Sequence, residues 1–141
     1  MSSIPTSNET LIAPAHPPLP DVRVHSLTPQ VEELWNSFVL EHPRGTLFHL
    51  LAWKRTIEKT FGYEASYAYT ERDGEITGVA PVFFISNWLL GRCLISTPYA
   101  VYGGICATDV ESEEKLVEHI KQLLASGELD SSLRRAEKVL A

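Results

Sequence analysis

Two short stretches of the 141-residue chain hold the residue types that site chemistry would need. His49 and Trp53 stand four apart in "TLFHLLAWKR", so on a helix they share one face. An imidazole exchanges protons near neutral pH, and an indole edge can line a groove. The second stretch, "STPYAVYGG" (Ser96 to Gly104), holds two tyrosines, a proline and a glycine pair. Tyr99 and Tyr102 each offer an apolar ring and a hydroxyl. Gly103 and Gly104 open backbone angles closed to other residues and allow close approach by a ligand or another chain. Each feature also has an ordinary structural reading. Trp53 then belongs to the core, His49 lies on the surface, and the tyrosines pack at a strand entry.

The familiar catalytic devices are missing. The sequence has no GxSxG elbow, P-loop, GxGxxG turn or HExxH pair. His16, His25, His42, His49 and His119 are scattered, never at ligand spacing with Cys or Asp, so no metal site is expected. A formal charge of −6, with Arg134-Arg135 as the longest basic cluster, leaves no phosphate-neutralising face and argues against DNA as a partner. Cys93 and Cys106 are not in CxxC spacing and sit in apolar, strand-like context, which reads as two buried free thiols. The opening "MSSIPTSNET" lacks a basic n-region, and no apolar h-region follows. The best hydrophobic run, Val79 to Leu90, carries Pro81 and Asn87 and falls short of the roughly twenty residues a membrane span needs. The expectation is a cytoplasmic protein with no transmembrane segment.

The elements that must position these residues follow from pattern. Residues 1–21, ending in "PAHPPLP", read as a disordered Pro/Ser-rich tail. Val22–Ser26 alternates as a strand, and Thr28-Pro29 starts a helix with apolar Val31, Leu34, Trp35, Phe38 and Val39 on one face. Thr46 caps a second helix over Leu47–Phe61, with Leu50, Trp53, Ile57 and Phe61 as its stripe and Gly62 as its left-handed stop. A hairpin spans Ala65 to Ile85 around the Asp73-Gly74 turn, with an edge or bulge at Pro81. "RCLIST" is a further strand. A third helix runs Asp109–Ser126, and a charged helical tail, 127–141, follows Gly127. The class is α+β, a mainly antiparallel sheet flanked by helices.

Three motifs taken together resemble a known family. "HPRGTLFHLLAWKRTIEKTFG", "DGEITGVAPVFF" and "GRCLISTPYAVYGG" look like the N-terminal part of FemAB-like proteins, a branch of the GNAT-fold acyltransferases with a subgroup tied to PEP-CTERM/exosortase systems. The resemblance covers about Val22 to Leu124. It implies a partial GNAT-like fold over residues 22–126. The implied activity is acyl or aminoacyl transfer to a small-molecule or envelope-precursor amine, in peptidoglycan or exopolysaccharide biology, with acyl-CoA or aminoacyl-tRNA as donor. By position, Phe48, His49 and Trp53 match the family's second-helix motif, and Ser96, Pro98, Tyr102, Gly103 and Gly104 match its "SxPxxxYGG" element. With Tyr99 added, the substrate-binding candidates are His49, Trp53, Tyr99, Tyr102, Gly103 and Gly104; the catalytic residues stay unassigned.

The (R/Q)xxGx(G/A) turn that holds the donor pyrophosphate in GNAT relatives does not occur, and "LLGRCL" is the wrong shape for it. The chain therefore reads as the front half of such an enzyme, as a fragment or truncated product, with no donor cofactor bound by this chain itself. The competing reading is a non-catalytic interaction module that pairs with a second copy or another chain through an exposed sheet edge.

Overall fold

The computed structural model describes residues 20–87, 91–96 and 103–140. They form an α+β arrangement with two antiparallel sheets. Strand β1 (Arg23–Ser26) is followed by α1 (Glu32–Glu41) and α2 (Leu51–Phe61). Strands β2 (Glu64–Ala65), β3 (Ala68–Arg72), β4 (Glu75–Ala80), β5 (Phe83–Asn87), β6 (Gly91–Ile95) and β7 (Cys106–Ala107) come next, and α3 (Val110–Leu140) closes the order. The first sheet has the order β1-β3-β4-β7 and the second β2-β5-β6. The Pro/Ser-rich stretch before Pro20 lies outside the described residues.

The hairpin is real, but it bends. Asp73 (φ 54°) and Gly74 (φ 81°) both take the left-handed angles of a type I′ turn, which matches the twist of the flanking strands. Arg72 pairs with Glu75 beside it, and a bulge between Thr70 and Glu71 sets Thr70 opposite Gly78. The return strand does not run on to Ile85 with a mere bulge. Pro81 has no N–H to give the ladder, so β4 stops at Ala80 and the chain restarts as β5 in the other sheet. Opposite the break, the Ser66 N–H finds the Val82 carbonyl at 2.7 Å, which keeps the two arms in step.

Alternation along β3 and β4 sorts the core into two layers. Tyr67, Tyr69 and Val79 join Trp35, Val39, Leu51, Ile57, Phe83 and Cys106 on the α1/α2 side. Ala68 and Ala80 face Leu116 of α3 on the other. Small residues on that side let the helix lie close. A Cβ on Gly78 would stand 3.0 Å from the Leu116 Cδ1.

The start of α3 is fixed by polar groups. Asp109 Oδ1 accepts the Ser112 N–H at 2.8 Å, the Ser112 hydroxyl reaches Thr77 at 2.8 Å, and Thr77 reaches Thr70 at 3.1 Å. Arg72 donates to both Asp109 and Glu111. Burial alone would raise the Asp109 carboxyl; the Ser112 amide, the Ser112 and Thr108 hydroxyls and Arg72 outweigh it and hold the group below its ordinary range.

Several sequence expectations need correction. The first helix opens as a single 3-10 turn, Pro29–Val31, behind Thr28. Leu34 does not join its buried face but is 56% exposed, because α1 meets the sheet only along the Trp35 and Val39 side. The second helix is not continuous from Leu47. Leu50 is extended (ψ 149°) and separates a 3-10 turn, Leu47–His49, from α2. Phe61, at the far end of the expected stripe, is exposed. Gly62 does stop α2 in the left-handed conformation, φ 67°. The third helix continues through Gly127 to Leu140 without a break.

Gly45 marks the tightest backbone approach. A Cβ there would sit 2.0 Å from the Val39 carbonyl oxygen, inside α1. Gly45→Ala is expected to cost about 2–3 kcal/mol through forced backbone movement. Gly74→Ala has open space around it and only a strained φ, so about 1 kcal/mol is expected. Urea unfolding of both variants checks this. Equal losses would show that the Gly45 contact relaxes freely.

Candidate functional site

The residues singled out for chemistry converge where the chain between α1 and α2 meets the segment that enters β7. The local reason is the "HPRGTLFH" turn. Thr46 is extended (φ −127°), its hydroxyl oxygen accepts the Phe48 N–H at 3.3 Å, and its own N–H donates to His49 Nδ1 at 3.2 Å. This is a capping box in which a histidine takes the place usually held by Glu or Gln. The Thr46 hydroxyl also lies 2.8 Å from His49 Nδ1.

His49 is buried, at 2% exposure, and not on the surface as its helix-face position suggested. The 3-10 turn rotates it away from the polar face of α2 and under the Gly103-Gly104 segment. Its Nδ1 accepts the Thr46 N–H, so in the neutral ring the proton sits on Nε2. Nε2 then donates to the Gly104 carbonyl at 3.1 Å, with Cys106 Sγ 3.4 Å away. The His49 carbonyl accepts the Trp35 indole N–H at 2.8 Å.

His42 repeats the same device one turn earlier. Its Nδ1 accepts the Arg44 N–H at 3.1 Å, and its Nε2 donates to the Ala107 carbonyl at 2.9 Å. Between the two rings the Cys106 thiol donates to the Arg44 carbonyl at 3.5 Å. Three side chains thus tie residues 42–49 to residues 104–107.

The cluster has the composition of a nucleophile–base pair but not its protonation. Burial lowers the His49 imidazole, the Gly104 bond opposes this, and His42 adds to the lowering. Burial raises the Cys106 thiol more than the Arg44 charge lowers it. The ground state is a neutral thiol beside an imidazole that presents N–H, and such a ring cannot take the thiol proton. The arrangement clasps two chain segments; it does not activate sulfur.

Above the clasp, Gly104 has φ 116°, and beyond its chain neighbours no atom of the described residues lies within 4 Å of where a Cβ would be, so among the described residues one side of this turn is open. Its N–H donates to the Ser96 hydroxyl at 2.9 Å, which draws the end of β6 into the same place. Gly103 is exposed. Trp53 is half-buried and connects to the cluster through Phe48, edge-on at 5.0 Å. Its indole N–H is buried with no acceptor among the described residues. Tyr99 and Tyr102 lie outside the described residues. The structure therefore brings together His49, Gly104 and Ser96, places Trp53 at one remove, and adds Thr46, His42, Arg44 and Cys106. The spacing of His42 and His49 gave no sign of this role. Only the Thr46 capping signal pointed to the turn that creates it.

Among the described residues no three His, Cys, Asp or Glu side chains gather as metal ligands would. The described helix N-termini are already satisfied or acidic. Asn36 accepts the Leu51 N–H at 3.0 Å, α1 opens with Glu32 and Glu33, and α3 is capped by Asp109 and followed by Glu111 and Glu113. None of these ends suits a phosphate. A second cleft of about 310 Å³ lies between the β1–α1 link, α2 and the β2–β3 link. Its charged groups are spent on neighbours, Lys54 on Glu58 and Glu32 on Arg55. No helix among the described residues is long and apolar enough to cross a membrane. The chain matches none of the known protein families, curated proteins or solved structures with which it was compared. The geometry of the clasp and its open glycine turn carries the functional reading.

Two outcomes follow. His49 titrates near 6.5 when unfolded and lower when folded, so between those values the unfolded chain binds a proton that the folded chain refuses. Stability is expected to fall as pH drops from about 6.5 to the folded value and to lose no more from this group below it. The Asp109 contribution is present above 3.8 and is lost only as pH falls further, so the two windows are separate. Urea midpoints between pH 7.5 and pH 5 measure the first window; burial lowers His119 as well, so His49→Gln should reduce the slope and leave the His119 share. A slope unchanged by His49→Gln would show that His49 does not contribute to it.

The thiols give the second outcome. Cys93 is exposed, against the expectation of two buried thiols, and Cys106 is buried. A thiol reagent should label Cys93 in the native protein and Cys106 only once the chain unfolds. Rapid native labelling of both would contradict an inert Cys106.

Proposed function

We propose that this chain is related to N-acyltransferases and supplies the acceptor side of an acyl- or aminoacyl-transfer site. The observation that carries the reading is the His49–Gly104 bond. It joins two of the three motifs on which the resemblance to FemAB-like GNAT proteins rests, "GTLFHLLAW" and "TPYAVYGG", although the bonded residues are 55 positions apart. Motifs that meet in space can form one wall.

In this reading the open side of Gly103-Gly104 receives an amine-bearing envelope precursor, in the cytoplasm where such precursors are assembled. Trp53, edge-on to Phe48, contributes its ring to this wall and not its buried indole N–H. The amine attacks the activated carbonyl of an acyl-CoA or aminoacyl-tRNA donor; the new C–N bond forms as the thioester or ester bond breaks. Catalysis of this kind rests on positioning and oxyanion donors more than on a side-chain nucleophile. The clasp fits that demand, since it orders backbone and withholds its own thiol. The donor's phosphates find no cradle at the described helix ends.

A second reading, a module that pairs through a sheet edge, draws on β6. It is an outer strand of its sheet, and Cys93 and Ile95 on it are exposed. Self-association abolished by Ile95→Lys would favour it.

An amide-shift titration with a lysine-bearing peptidoglycan stem peptide tests the first reading. Shifts confined to residues 46–53, 96 and 103–106 are expected, with none of that size from coenzyme A. No shifts at millimolar peptide, or tight binding of coenzyme A to this chain, would overturn it.

A further inference from the structure

The outward side of α3 carries apolar residues that no described element covers. Val110, Val117 and Leu124 are 70%, 38% and 41% exposed. They are spaced seven apart, so the row runs nearly along the helix axis. A shallow groove of about 370 Å³ follows the row, with Glu113, Glu114, Glu118 and Lys121 along it. Among the described residues none of these four charges has an ion-pair partner. The row is not core turned outward by mistake, because Ser112 and Leu116 on the other side of α3 are fully buried against the first sheet.

We propose that this face binds a second copy of the chain, with the two α3 helices antiparallel about a two-fold axis at Val117. The argument is the order of residues along the row. A two-fold axis there sets each residue n positions before Val117 opposite the residue n positions after it. Val110 then meets Leu124 of the other copy, and Val117 meets itself. Glu113 meets Lys121, and by symmetry this pair forms twice. Glu114 lies one position further on and adds to the field around the same lysine. A parallel pairing would instead set Glu113 against Glu113 and Lys121 against Lys121, which is repulsive.

An isologous interface requires a face that is complementary to itself under one rotation. Here the three apolar positions and the Glu113–Lys121 pair meet that condition, while Glu118, one position past the axis, points away from the Val110–Val117–Leu124 seam. A shallow helix crossing of about 20° keeps residues seven positions from the axis within reach. The pairing is independent of the acyl-transfer reading and uses neither sheet edge.

Sedimentation equilibrium from about 10 µM to about 1 mM, the range in which small interfaces associate, tests the proposal. The full chain should show a concentration-dependent dimer. Val117→Glu should weaken it by about tenfold or more, since it places two carboxylates on the axis. Glu113→Lys and Lys121→Glu should each weaken it by about threefold or more, and the double variant Glu113→Lys/Lys121→Glu should return to within about twofold of the original. These positions are on the exposed side of α3, and circular dichroism confirms that each variant keeps its helix content. Ile95→Lys should leave the dimer unchanged. A monomer throughout, a dimer indifferent to Val117→Glu, a dimer lost in Ile95→Lys, or a double variant that fails to recover would each overturn the proposal.

Discussion

Two imidazoles hold this fold in the form its candidate site needs. His42 and His49 each accept a nearby backbone N–H on Nδ1 and give the Nε2 proton to a carbonyl of the 104–107 segment. The constraint is one of hydrogen-bond polarity as much as of position. In each ring Nδ1 faces an N–H donor and Nε2 a carbonyl, so the bonds select the same acceptor and donor nitrogens in both. The low polarity that favours the neutral state of His49 comes from the core around it, Trp35, Leu51 and Cys106. The core protects the clasp, and the clasp in turn fixes β7 against β4.

The position of β7 matters because its contact with the sheet is small. It pairs with β4 only at Gly78 and Val79. Two residues of ladder would be a weak anchor alone. The histidines and the Thr108 N–H, which donates to the Thr77 carbonyl at 2.8 Å, extend that anchor on either side. From there Asp109 starts α3, with the hydroxyls of Ser112, Thr77 and Thr70 fixing the helix across the sheet. The placement of α3 is thus inherited from the turn between α1 and α2, about sixty residues earlier in the chain.

The sequence made local structure legible where a single residue type has a single physical consequence. Asp73-Gly74 forms the tight turn, Gly62 ends α2, Trp35 is core, and Thr46 caps. The same logic misjudged places where tertiary contact decides. His49 looked like a polar-face residue because helical spacing assumes an unbroken helix, and the extended Leu50 breaks it. Leu34 fits an apolar period, but no element packs over it. Pro81 announced a disturbance without saying that the strand would pass into a second sheet. The pairing of His42 with Ala107 leaves no trace in sequence, since its backbone partner could be any residue. Of the candidate site, the glycine turn and the Thr46 signal were readable; the clasp that unites them was not.

The clasp also has a place in the order of folding. The β3–β4 hairpin joins residues close in sequence and costs little loop entropy to close. The bonds of His49 to Gly104 and His42 to Ala107 close loops of 55 and 65 residues. Contacts of that reach form after the local elements, when the hairpin and helices have already restricted the chain between them. The glycine turn is then the last part of the described fold to take its shape. It is also the first to be released when the chain opens, since among the described residues a few side-chain bonds and a two-residue ladder hold it. A surface built this way stays unformed until the body of the domain exists to support it.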